Sequence, residues 1–117
     1  MAKKRTKRRI DPEVSSIILR TVPIPEAFLF FTDVGQYTGE LASSLTDFIE
    51  KLKKIQLESI KFHFERGDFE RWIKETLGDK YLANRISNID RSIKGEKLRT
   101  TIQRIVQRRL NQLASYR

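Results

Sequence analysis

A chain of 117 residues, 38% apolar and with a formal charge of +9, can build one domain with a modest core. It has no cysteine and one histidine, which excludes a disulfide framework, a thiolate zinc site and a cysteine nucleophile and argues against any transition-metal centre. The longest apolar run, Ala27 to Phe31, is too short to span a membrane, and no apolar segment follows the basic start as a secretory signal requires; a cytoplasmic protein with no membrane partner is expected.

Residues 1–10 read as a basic tail and residues 11–117 as a single compact domain. Lys3, Lys4, Arg5, Lys7, Arg8 and Arg9 follow one another without an acid, so like charges repel, nothing can be buried, and the tail is expected to be disordered. Residues 10–90 hold 10 basic and 14 acidic side chains, and residues 91–117 hold 8 basic ones against Glu96 alone. A mildly acidic body between two basic ends suggests a polyanionic partner.

Asp11-Pro12-Glu13 starts a helix, with a cap, a proline at the first position and an acid at the positive end of the dipole. Val14, Ile17, Ile18 and Thr21 are expected to form its inner face, and Pro23 and Pro25 stop it. Ala27 to Thr32 is short, aromatic and bounded by turn residues, as a strand would be. Asp33-Val34-Gly35 turns the chain, and Gln36 to Ala42 returns as a weaker second strand. Ser44 caps a helix in which Leu45, Phe48, Ile49 and Leu52 face inward and Asp47 sits as in a capping box.

Residues 57–66 fit a helix through Leu57, Ile60 and Phe64 and a strand through Ile60, Phe62 and Phe64. Helix is preferred, because Gly67 reads as its stop. Asp68 is placed to cap the next helix, which carries Phe69, Trp72, Ile73 and Leu77 at helical spacing and ends at Gly78. Asp79 caps another, with Leu82, Ala83, Ile86 and Ile89 inside. A last helix spans about Glu96 to Ser115, with Leu98, Ile102, Ile105, Val106, Leu110 and Leu113 in one stripe. The predicted fold is α+β and mainly α: a short aromatic β-hairpin packed against four or five helices.

Phe62-His63, Asp68-Phe69, Trp72-Ile73, Leu77-Gly78-Asp79 and Leu82-Ala83 occur in an order that resembles a prokaryotic family described only as a domain of unknown function. The resemblance extends over roughly residues 26–113, from the aromatic strand to the Leu98-Arg99 helix, and leaves the basic tail outside. Many bacterial members are similar but longer near Arg66-Gly67. It implies one small, mostly helical domain and no particular activity or cofactor.

His63, Glu65, Arg66 and Asp68 are the one cluster that could do acid–base work. No second histidine and no nucleophile with a positioned base accompany them, so structural roles are expected: Asp68 as cap, Arg66 as its ion-pair partner, His63 at the edge of the aromatic core. Glycine-rich phosphate loops are absent from the sequence. Trp72 and the phenylalanines could stack bases, but their helical spacing favours the core. Lys97, Arg104 and Arg108 recur at steps of seven and four and share a helix face without matching acids. Arg109 falls within the apolar stripe, where it either snorkels outward or marks a partner interface. The expected function is non-enzymatic binding of structured RNA, ribosome-associated, with phosphate contacts from the six tail cations and from Lys97, Arg104 and Arg108. No cofactor and no metal are expected. A protein-interaction module using the acidic middle and the aromatic corner, or a DNA-binding chromatin-type protein, is the alternative.

Overall fold

The computed structural model describes residues 10–115. Helix α1 covers Pro12–Ile18, and a single 3₁₀ turn at Ile24–Glu26 leads into strands β1, Phe28–Asp33, and β2, Gln36–Ala42. Five further helices follow: α2, Leu45–Leu52; α3, Leu57–Arg66; α4, Asp68–Trp72; α5, Lys80–Ser87; and α6, Gly95–Ala114. Between α4 and α5 the chain makes one π turn, Ile73–Leu77, closed by Gly78 in the left-handed region. The protein is thus mainly helical with a two-stranded antiparallel hairpin, as the sequence predicts.

Three of the four start signals are met by a hydrogen bond. The Asp11 side chain accepts from the Glu13 amide, Ser44 from Asp47, and Asp79 from Leu82. These bonds satisfy helix amides that have no partner within the helix. Asp47 also reaches back to the Ser43 amide at 3.1 Å, and Lys51 ties α2 to the hairpin by donating to the Leu41 carbonyl at 3.0 Å.

The hairpin is irregular. Phe28 pairs with Ala42, Leu29 with Leu41 and Phe31 with Tyr37, so β2 carries extra residues around Thr38–Glu40. Gly39, at φ 91°, supplies the backbone conformation this bulge needs. The bulge is held by the Thr38 hydroxyl, which donates to the Phe30 carbonyl at 2.7 Å. Phe28 and Phe30 point inward, and the ring of Phe28 meets those of Phe30, Phe48, His63, Phe69 and Trp72 at centroid distances between 4.7 and 5.8 Å. Edge-on and tilted arrangements within this range are the favourable ones for aromatic pairs. One contiguous core results, with the inward faces of α2 to α6 closing around the aromatic cluster.

Two expectations about helix faces are corrected here. Val14 and Ile17 on α1 are exposed, as is Thr21 beyond its end, while Ser15 and Ile18 are buried. Downstream, the Val22 amide bonds to the Ser43 carbonyl, and Arg20 donates to the carbonyls of Ile17 and Thr76. These anchors fix the rotation of a helix too short to set its own. Asp68 does not cap α4. Gly67, at φ 74°, holds the N-cap position, and the Asp68 carboxylate turns back toward α3.

Candidate nucleic-acid interface

Lys97, Arg104 and Arg108 lie on the solvent side of α6. Helical rise places them about 10 Å and about 6 Å apart along the axis. None forms an ion pair among the described residues. Arg104 and Arg108 line a shallow groove of about 460 Å³ between α2 and α6, together with Lys53, Gln103, Gln107 and Asn111. The groove offers cations and amides over a strip of helix whose other face is held by the core. Such a surface can take up phosphate and sugar oxygens without ordering new backbone. Lys3, Lys4, Arg5, Lys7, Arg8 and Arg9 lie outside the described residues.

The remaining arginines of α6 are occupied. Arg99 donates to the Leu52 carbonyl at 2.6 Å and to Glu96 at 2.8 Å. Arg109 does not snorkel outward. It is 9% exposed and binds the Asp79 carboxylate through Nε at 2.7 Å and Nη2 at 3.0 Å. Its Nη1 donates to Gln112 at 2.7 Å, and its guanidinium lies over the Tyr81 ring. A charge in the apolar stripe is tolerated because a carboxylate 30 residues earlier meets it with bidentate geometry.

The His63 cluster is tightly assembled. Phe31 N–H donates to Nε2 of His63 at 2.8 Å, so Nε2 must be the acceptor and Nδ1 must carry the proton. Nδ1–H then donates to Asp68 Oδ2 at 2.8 Å. Arg66 Nε and Arg71 Nη1 also donate to Asp68, at 3.0 and 2.9 Å. Three charge-assisted or near-charged donors outcompete the helix amides for this carboxylate, which is why it abandons the cap. Burial, the largest influence, pushes the His63 pKa below its ordinary value; Asp68 pulls it upward without prevailing, and Arg66 adds to the lowering. For Asp68, burial alone would raise the pKa, but hydrogen bonds from His63, Arg71 and Arg66 outweigh it and hold the carboxyl below its ordinary range. Both ring nitrogens of His63 are therefore engaged at neutral pH.

A second cationic group has no continuous signature in the sequence. Lys61 on α3, Arg91 before α6 and Lys94 at its N-cap surround one cavity. Arg91 and Lys94 both lie just before Gly95 in the sequence, but nothing in the residue pattern ties them to Lys61. Among the described residues, no three His, Asp or Glu side chains converge as a metal set would, and no helix is long and apolar enough to cross a membrane.

Residues 25–117 match the model of a family of unknown function, DUF5752. This match takes in most of the chain, and the protein belongs to that family. Searches of curated proteins and of solved structures find no match.

Proposed function

We propose that this member of the family is a non-enzymatic RNA-binding protein that holds structured RNA through phosphate contacts. The observation that carries this reading is the basic face of α6: Lys97, Arg104 and Arg108 stand exposed along one line with no acid paired to them among the described residues. A solvated face usually mixes both signs, and here the acids of the chain lie elsewhere. Six more cations precede the body in sequence, so the total charge available to phosphates is large. A ribosome-associated role in the cytoplasm of a prokaryote is the specific form of the proposal. The engaged nitrogens of His63 support the non-enzymatic part, because a general base needs a free lone pair within reach of a substrate.

The test is RNA binding by the full chain, by a chain lacking residues 2–9, and by Lys97→Gln/Arg104→Gln/Arg108→Gln, across a salt series. Progressive loss of affinity and a flatter salt dependence are expected. Equal affinity for all three forms overturns the proposal. A second reading is favoured by Leu29, Val34 and Tyr37, which are 41%, 76% and 46% exposed on the hairpin. They suit a protein-interaction module. A protein partner captured after nuclease treatment, and lost with Leu29→Ser/Tyr37→Ser, would support it over RNA.

A further inference from the structure

The cavity between α3 and the start of α6 has about 320 Å³, within the range of small-molecule sites. Its floor is apolar, made by Phe64, Ile93 and Leu98. Lys61, Arg91 and Lys94 stand around it, and Glu65 is the one acid among the lining side chains. Lys61 and Lys94 are exposed and form no ion pair among the described residues.

Arg91 is different, because it is fixed. Its guanidinium lies over the Phe64 ring at 4.2 Å from the centroid, and Nη1 donates to the Phe64 carbonyl at 2.9 Å. Nη2 lies 3.7 Å from Glu70. A guanidinium held over a buried ring by a further hydrogen bond has its position set by the fold, while about half of the side chain stays open to solvent. Guanidinium groups stack on nucleobases, and two exposed lysines beside one supply a phosphate with cations.

We propose that this cavity is a nucleotide site, with a base stacked on Arg91 above the apolar floor and a phosphate held by Lys61 and Lys94. The ligand class is a nucleoside monophosphate unit, either free or as an unpaired residue of an RNA strand. The second source rests on the RNA reading above; the first does not. The site also differs from the α6 groove, where Ile49 is the one apolar residue among the lining residues.

Titration of the full chain with uridine monophosphate, followed by amide NMR, tests the site directly, with uridine alone and inorganic phosphate alone as controls. The amides of Ile93, Gly95 and Leu98 are expected to shift, and the nucleotide should bind at least tenfold more tightly than either fragment. Lys61→Gln/Lys94→Gln should weaken it about tenfold. Arg91→Lys, which keeps the charge and removes the plane, should do the same, while Arg104→Gln/Arg108→Gln leaves it unchanged. Shifts scattered elsewhere, no shifts, or equal binding of phosphate alone overturns the proposal. A second arm compares single-stranded oligouridylate with an RNA duplex of equal length. Selective loss of single-strand affinity in the cavity variants assigns the site to RNA; unaltered RNA binding beside lost nucleotide binding assigns it to free nucleotide. A chain that binds the nucleotide and no RNA removes the RNA reading and keeps the site.

Discussion

Arg109 and Asp79 clasp each other across the α5–α6 interface through two hydrogen bonds, at 2.7 and 3.0 Å, with both side chains almost wholly withdrawn from water. Asp79 does two jobs at once, since its Oδ1 also accepts from the Leu82 amide at 3.1 Å and so starts α5. Removing either partner leaves an uncompensated buried charge. Arg109→Ala and Asp79→Ala should each destabilise by about 3–5 kcal/mol. The double variant should cost clearly less than the two single losses combined, because the second removal strands nothing further. Chemical denaturation of the four proteins checks this, and strict additivity would contradict it.

Acid should weaken the fold through His63. His63 is kept neutral by burial, with a pKa below its ordinary value, whereas in the unfolded chain it takes up a proton near pH 6.5. Between those two values the unfolded state binds more protons, so stability rises with pH. The contribution is complete above about pH 6.5 and falls as the pH drops toward the folded pKa. Thermal midpoints of the wild type should decline from pH 7.5 to 5.5 more steeply than those of His63→Gln. Asp68 acts lower: its depressed pKa gives stability that is present above its ordinary range and lost only as pH falls through the folded value. Parallel curves for wild type and His63→Gln would refute the assignment.

Trp72 joins the corner to the turn before β1. It is 8% exposed, and its indole N–H donates to the Glu26 carbonyl at 2.8 Å. Trp72→Ala should cost about 3–5 kcal/mol. Trp72→Phe keeps most of the packing and loses the hydrogen bond, so about 1 kcal/mol is expected. An unchanged urea midpoint for Trp72→Ala would remove this residue from the core.

Neutralising Lys97, Arg104 and Arg108 with glutamine should separate binding from folding. All three side chains are exposed, so stability should stay within about 0.5 kcal/mol of wild type. If each contacts one phosphate, the slope of log affinity against log salt should shrink by about two to three. An intact slope with an intact fold would show that this face does not meet the RNA.

Helix-spaced apolar residues made α2, α5 and α6 legible, because their inner faces are continuous over two or more turns; the single helix read from Asp68 to Leu77 is five residues of α4 followed by the π turn. The aromatic strand was legible from Phe28 and Phe30 for the same reason at the shorter period. What escaped depends on distant partners. Arg109 in an apolar stripe makes sense only beside Asp79, which the sequence presents as a cap. Asp68 looks like a cap until His63, Arg66 and Arg71 are seen to converge on it. Val14 and Ile17 read as buried because a short helix was oriented by its own apolar residues, while the chain after it sets its rotation. The cavity at Lys61, Arg91 and Lys94 draws on segments that only the fold brings together.

The bond from Phe31 N–H to His63 has a consequence for how copies of this chain behave toward one another. A two-stranded sheet has two open edges, and each row of unpaired amides can template a strand from a neighbouring molecule. The Phe31 amide points away from β2, and His63, delivered by α3, occupies it. That leaves β2 as the exposed edge, where the Gly39 bulge breaks the flat run that intermolecular pairing requires. Protonation of His63 converts Nε2 from acceptor to donor and releases the Phe31 amide. Acid strong enough to overcome the burial that lowers the His63 pKa therefore uncovers strand edge in a molecule that is otherwise guarded against sheet-to-sheet association.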